Sequence, residues 1–426
     1  MYYIVRQNSA KRRIYMRKNI NKLVAFAIGI SIMGGSIVPV FAADATTKNT
    51  STITSVQAQT SGKTVLTLDS AIEAAISNDS KMQSQIKYIN LQDDKLDIAD
   101  DINDINSNDA NQNAYDTQEL LVKQAKQKKD FMEDILAQHI TDKYNDLVAQ
   151  GKALDKIKRQ IEIKTKEVSD AQLKKKLGLI TSIDLTQAQI QIETLKNSQK
   201  DAENKLKNSQ DYFQVLTGKD LSKYALAQDT DFETFKIDGS VDDYFNNLVD
   251  KYFEYSDEIL SITKDYMRDN KMEHPDSNSD ENVDVVDDGN GGTVKVPNDD
   301  KYVRALQTYA SYLEGKYNNL DSKILTVQDS KKSINNGLKV SYASLLNLEN
   351  SINVMKSNIQ VSNKQLSNAK LQYDLGMITK TQYDNQVVAN QDLETTLRSL
   401  IDNYNKLKNN IQKPWILVDS SGTTAQ

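Results

Sequence analysis

"AQLKKKLGLITSIDL" at 171–185 and "AKLQYDLGMITKTQY" at 369–383 are one passage written twice, 198 residues apart. Leu177-Gly178-Leu179-Ile180-Thr181 lies over Leu375-Gly376-Met377-Ile378-Thr379 without a gap. Upstream of each passage, apolar residues return every seventh position. The first run has Ile140, Leu147, Leu154, Ile161 and Val168. The second has Leu338, Leu345, Ile352, Ile359 and Leu366, each 198 residues after its counterpart. A seven-residue period on a helix gives a narrow stripe that drifts about the axis, so neighbouring helices supercoil to keep it buried. Gly178 and Gly376 end the two runs. A helix commonly stops at a residue in the left-handed conformation, which Gly adopts without steric cost. Thr181 or Ser182, and Thr379 or Thr381, then cap a returning helix by accepting backbone N–H bonds. The stripe resumes at Leu185, Ile192, Leu206 and Phe213, and in the second copy at Tyr383, Asn390, Tyr404 and Ile411. Asn390 weakens that second seam. The expectation is an all-α chain of two tandem repeats of a long antiparallel coiled-coil hairpin. The tips are Leu177, Gly178, Thr181 and Leu375, Gly376, Thr379.

Working outward, a helix from about Thr117 to Lys176 would be roughly 90 Å long at ~1.5 Å per residue. A longer one fits Lys301 to Asp374, and shorter ones fit Leu68 to about Asp104 and Val241 to about Asn270. Ser182–Leu216 and Lys380–Gln412 return. The first repeat covers 64–218 and the second 241–415, joined by a linker at 219–240. Segments 43–63 and 416–426 read as lacking structure. The one β element expected is a small hairpin near 283–296, with Gly289–Gly292 in its turn.

The first 42 residues carry seven basic side chains and no acidic one. An apolar run from Leu23 to Met33 follows, then Gly34, Gly35, Pro39 and Val40-Phe41-Ala42. That order is a secretory signal with cleavage after Ala42, and Met16 is an alternative start. The competing reading, a retained anchor, needs roughly 20 apolar residues, more than this broken run supplies. Removal of the seven leaves 46 basic against 59 acidic residues, a net charge of −13. Such a chain has no electrostatic footprint for nucleic acid or anionic lipid. It has no Cys, so packing alone must stabilise it, and no later segment is apolar enough for a membrane helix. Only four Pro among 426 residues suits long helices with thin seams.

No catalytic constellation emerges, so the chain reads as a non-enzyme without cofactor or metal. His139 and His274 are the only histidines and lie in different segments. Phosphate loops, Cys nucleophiles and Ser elbows are absent. The Asp/Asn cluster from Asp276 to Asn290 fails the calcium-loop spacing. The 20 Tyr suit seam edges, where the ring packs and the hydroxyl stays wet.

These motifs resemble those of the TolC-like outer-membrane efflux factors. "LTLDSAIEAAISNDSKM" at Leu66–Met82 is similar to the family's start motif "LTLDEAI-ELALKNNPEL", with Ser80 close to the place of the family's Pro. "VDDYFNNLVDKYFEYSDEI" at Val241–Ile259 is a weaker echo. The "LG-x-x-T/S" tips match at Leu177–Thr181 and Leu375–Thr379. Ala188-Gln189 and Leu216-Thr217-Gly218 match the family's residues downstream of its first tip. The likeness covers about residues 64–415. It implies a homotrimeric tunnel in which six hairpins form an α-helical barrel. The tips would face an adaptor protein and an inner-membrane pump, ABC-type or other. It places Asp184 among acids that narrow the entrance, while the aligned residue of the second copy is Gln382. The other reading of Asp184 is a first-turn acid favoured by the helix dipole. Tyr373 matches a family tyrosine that helps hold the tip shut.

One departure is large. The family inserts two membrane strands per half, and a spanning strand needs about 9–11 residues with alternating apolar side chains. The first-half site, "DDINDINSNDANQNAYD" at Asp100–Asp116, is almost wholly polar. The second-half site is the short "VDVVDDGNGGTVKV" at Val283–Val296. The expectation is therefore a TolC-like helical body without its membrane barrel, exported to the cell envelope or surface. The resemblance points to an efflux or export conduit at the outer membrane. The alternative is a wall- or surface-associated coiled-coil scaffold that has lost transport.

Overall fold

The computed structural model describes residues 63–421, apart from 229 and 291. The export signal expected at 1–42, and all but the last residue of the segment 43–63 expected to lack structure, lie outside the described residues. In chain order the elements are β1 (Thr64–Leu66), α1 (Leu68–Asn78), α2 (Ser80–Ile105), α3 (Asp109–Lys176), α4 (Ser182–Thr217) and β2 (Tyr224–Leu226). Then come α5 (Val241–Asp269), β3 (Val283–Asp287), β4 (Thr293–Pro297), α6 (Asp299–Lys316), α7 (Ser322–Asp374), α8 (Lys380–Gln412) and α9 (Trp415–Ser421). The chain is overwhelmingly helical, and α3–α4 and α7–α8 are the two expected hairpins. The described chain divides into two compact units, each drawing on both halves of the sequence. One comprises Tyr88–Lys126 and Asp250–Ser333. The other comprises 63–87, Gln127–Val249 and 334–421.

In the second of these units the seven-residue stripes lie inside. Ile140, Leu147, Leu154 and Val168 of α3 are buried, and Leu338, Leu345, Ile352 and Ile359 of α7 are fully so. Phe213 of α4 and Tyr404 and Ile411 of α8 face them from the return helices, also fully buried. Asn390 is buried with its Oδ1 unbonded. An unsatisfied buried acceptor costs about 1–3 kcal/mol, which makes Asn390 the weak point of its seam.

The start motif builds a knot at the open end of the first hairpin. Leu66, Ala71, Ala75, Ile140, Tyr144, Phe213 and Leu221 belong to one buried cluster. The two alanines let α1 approach α4 closely. The Tyr144 hydroxyl donates to the Leu66 carbonyl at 2.7 Å, with the Ala227 carbonyl 3.2 Å away. That ties down a parallel pairing of β1 with β2, a second small sheet beyond the single hairpin expected. The helix expected from Leu68 to Asp104 is broken at Asp79, whose backbone is extended. Asp79 accepts the Met82 N–H at 2.7 Å and so caps α2. Asn78 meanwhile donates to the Val215 and Leu216 carbonyls at 2.9 and 3.2 Å, closing the end of α4. Two short polar side chains thus outcompete helix continuation, without Gly or Pro.

The linker is strapped onto α8. Arg398 donates to the Gln228 carbonyl and Asn405 to that of Asp231. The Phe235 N–H donates to the Tyr404 hydroxyl at 2.7 Å, and Phe232 meets the Tyr404 ring edge-on. The tail also departs from expectation, because its first residues form α9. Trp415 stacks on Phe131 with ring centroids 4.3 Å apart, and its indole N–H donates to Asp134 at 2.9 Å. Ile416 and Val418 are buried beside it.

In the other unit, hydrogen bonds and ion pairs order the helices. α2 meets α3 through Gln92–Gln118 and Asp93–Lys126. α3 meets α5 through Gln124–Ser256. α5 meets the start of α7 through Lys331, which lies 2.7 and 2.6 Å from Asp250 and Asp257. The polar first-half site is not a loop: α2 runs to Ile105 and α3 begins at Asp109, earlier than the Thr117 expected. Asn108 caps α3 by accepting the Asn111 N–H. The second-half site is the predicted hairpin, β3 antiparallel to β4 with Val283 opposite Pro297. The helix expected from Lys301 is interrupted by a wider π turn at Tyr317–Asp321 between α6 and α7.

Candidate functional site: the two hairpin tips

Each tip closes by the same hydrogen bonds. Gly178 has φ 72° and Gly376 φ 73°. The Leu179 N–H reaches the Lys174 carbonyl at 2.9 Å and the Gly178 N–H that of Lys175 at 3.0 Å. In the second tip Met377 reaches Gln372 at 2.8 Å and Gly376 reaches Tyr373 at 2.9 Å. This paired closure satisfies carbonyls that a helix end leaves free.

The return helices begin at Thr181 and Thr379, resolving the alternatives Ser182 and Thr381. The Asp184 N–H donates to the Thr181 hydroxyl oxygen at 3.2 Å, and the Thr181 N–H donates to the Asp184 carboxylate at 2.8 Å. In the second tip the Gln382 N–H donates to Thr379 at 3.2 Å, and the Thr379 N–H to the Gln382 amide oxygen at 2.8 Å. Both are reciprocal capping boxes. The change from Asp184 to Gln382 therefore preserves one local job, because an amide oxygen accepts the same N–H. Bonds from Thr181, its hydroxyl's first and then its backbone N–H, hold the Asp184 carboxyl below the usual carboxylate range. Sequence reading named both residues but missed the box.

Beyond the caps the tips differ. Tyr373 stacks on Tyr383 across the second hairpin, with ring centroids 5.6 Å apart and planes 13° off parallel. The Lys370 and Lys380 ammonium groups lie 5.8 and 6.0 Å from the centre of the Tyr373 ring. Each lysine is also paired with an acid, Asp374 or Asp384. The residues 198 positions earlier are Lys175 and Leu185, so the first tip has no such aromatic clasp. It ends instead on Lys174, Lys175 and Lys176, which suit the negative end of the α3 dipole. Both tips expose apolar side chains: Leu177 is 65 % and Leu375 66 % exposed, and Leu179, Ile183 and Met377 more so. Such residues are the usual mark of a contact surface.

Other sequence candidates lie elsewhere. His139 is half-buried on α3, and burial pushes its pKa down. His274 meets the Tyr309 ring at 5.5 Å. In the acidic loop, Asp287 and Asp288 accept N–H groups of Gly289, Asn290 and Gly292, so their oxygens serve the turn. Among the described residues no group of three or more His, Cys, Asp or Glu side chains is placed to hold a metal. No described helix is long and apolar enough to cross a membrane.

The sequence matches no family model, and no curated protein matches it. Solved structures do match its fold. The CmeC outer membrane channel of Campylobacter jejuni superposes with a TM-score of 0.56 at 12% identity, over 90% of this chain and 94% of that one. CusC, a transmembrane channel, gives 0.54 at 11% identity over 90% and 99%. The fold is that of the TolC-type outer-membrane channels. The outer-membrane channel OprN agrees, with a TM-score of 0.56 at 8% identity over 82% and 90% of the two chains. At these identities the TolC-type fold is what is shared.

Proposed function

We propose that this chain is a non-catalytic protomer of a TolC-type tunnel in an envelope export or efflux assembly, secreted by a cleaved signal. Three copies enclose the lumen, and the tips dock on an adaptor protein that connects them to an inner-membrane pump. The observation that carries this reading is the pair of intact tips on a channel fold. Both hairpins keep their left-handed Gly, their capping box and their exposed apolar residues, although little else at the tips is alike. The tandem duplication in the sequence accounts for the likeness. In this reading Asp184, Gln382 and Tyr373 line the entrance, and the stacked tyrosines fasten the second hairpin.

A specific observation favours a second reading, the envelope scaffold. Where TolC-type channels continue into membrane strands, this chain has a helical turn in one half. In the other it has strands of five residues each, against about 9–11 for a membrane-spanning strand. We read this as a body that ends without a barrel of its own, seated in an envelope without an outer membrane or beneath another protein's pore. Imaging of single purified particles tests the choice. The tunnel reading expects a closed ring with an open polar lumen. Isolated rods or paired coils without a lumen would favour the scaffold.

A further inference from the structure

α3 and α8 run side by side, tied by ion pairs between well-exposed residues. Lys406 meets Asp142 and Lys156 meets Asp392, each at 2.7 Å. Between these two ties lies a pair of another kind. Arg398 and Asp402, one turn apart on α8, have side chains only 8 and 17 % exposed. They approach at 3.6 Å, from Nε to Oδ2, too far for a hydrogen bond. Arg398 Nε and Asp402 Oδ1 are both buried without a hydrogen-bond partner. The guanidinium is turned to other acceptors, the Gln228 carbonyl of the strap and Asn145 Oδ1 of α3. The arginine thus holds the strap down and leaves the carboxylate half-served. Thr230 of the strap lies beside that carboxyl. Its Oγ1 too is buried without a bond of hydrogen-bonding geometry.

A buried carboxylate oxygen without a donor is costly, and two changes relieve it. A proton removes the charge and turns an acceptor into a donor, for which the Thr230 hydroxyl is the acceptor at hand. Lifting the strap instead returns the carboxylate to water, at the loss of the Arg398–Gln228 and Phe235–Tyr404 bonds. Each change removes the need for the other, so strap and proton are coupled. We propose that the strap is a proton-linked latch on α8: it closes as Asp402 takes up a proton and loosens as Asp402 ionises. The surrounding charges pull both ways. Burial pushes the Asp402 pKa up, Arg398 of α8 and Lys152 of α3 pull it down, and Asp146 of α3 pushes it up again. Burial prevails, and the closed strap holds the pKa above the ordinary carboxylate value of about 3.9. The stability that Asp402 lends the closed strap is therefore complete below that ordinary value and is lost as pH rises through the raised one. The latch works within one chain and does not depend on the tunnel reading.

Hydrogen exchange of the purified full chain tests this, read on peptides spanning 228–236 and corrected for the intrinsic effect of pH on exchange. As pH falls from neutral toward the ordinary carboxylate range, protection of the strap is expected to rise, while peptides spanning 338–352 of α7 hold steady. Asp402→Asn, neutral at every pH, is expected to give the protected strap throughout. Lys152→Gln removes a charge that favours the carboxylate and is expected to move the midpoint to higher pH. His139→Gln is expected to leave it in place, because the charges acting on His139 are Lys143, Asp142 and Lys406. Strap protection that stays flat or falls on acidification of the wild type overturns the proposal. So does an Asp402→Asn chain that keeps the wild-type pH response, or a midpoint that follows His139 rather than Lys152.

Discussion

Gly178 and Gly151 share an environment and differ in backbone. An added Cβ would meet nothing within 4 Å at either, but only Gly178 has positive φ. Gly178→Val and Gly376→Val should each cost at least about 1–2 kcal/mol, the penalty of a left-handed L-residue. Gly151→Ala, inside α3, should instead gain up to about 1 kcal/mol. Thermal unfolding followed by circular dichroism checks the opposite signs, and equal signs would mean the tips are misplaced. Asp184 makes a prediction about acid. Its carboxyl is held below the usual range, so the unfolded chain takes up the proton first. The stability it adds is complete above the ordinary carboxylate pKa of about 3.9. It is lost as pH falls through the lower folded value. Gln382 does not titrate. Hydrogen exchange should show the first tip fraying in acid more than the second, and Asp184→Gln should abolish the difference.

At the scale of elements, the seven-residue stripes and the two glycines sufficed to place α4, α8 and the tip ends of α3 and α7, because those are set by local period and local stops. The elements that sequence reading missed depend on distant partners. The break at Asp79 has a weak local signal in Asp79 itself, which caps α2, and its other half is distant, Asn78 reaching the carbonyls of α4. β1 and β2 are three residues each and exist as a pair only through Tyr144 and the strap. The π turn at Tyr317–Asp321 breaks no visible pattern. The same holds for α9, whose seven residues look like a ragged terminus until Phe131 and Asp134 are brought beside Trp415. Trp415→Ala should cost about 3–5 kcal/mol, as truncation of a buried aromatic does. Trp415→Phe keeps the stacking and loses only the N–H bond to Asp134, for about 1 kcal/mol. Denaturant titration of both variants measures the gap, and equal losses would refute the docking of α9. The tips were legible as turns. Their capping boxes and the Tyr373–Tyr383 stack were not, because these require knowing which side chains face each other.

Across the whole molecule the buried residues form thin seams along long helices. Its apolar residues are arranged in lines, and such lines are buried only by side-by-side helices. The proposed tunnel requires neighbours of the same kind beside each chain. The mass of the purified protein at sedimentation equilibrium, over a wide range of concentrations, is the decisive measurement. A tunnel of three protomers gives a single closed species of three times the chain mass, persisting on dilution. A fully helical species at the mass of one chain, at every concentration, would contradict it.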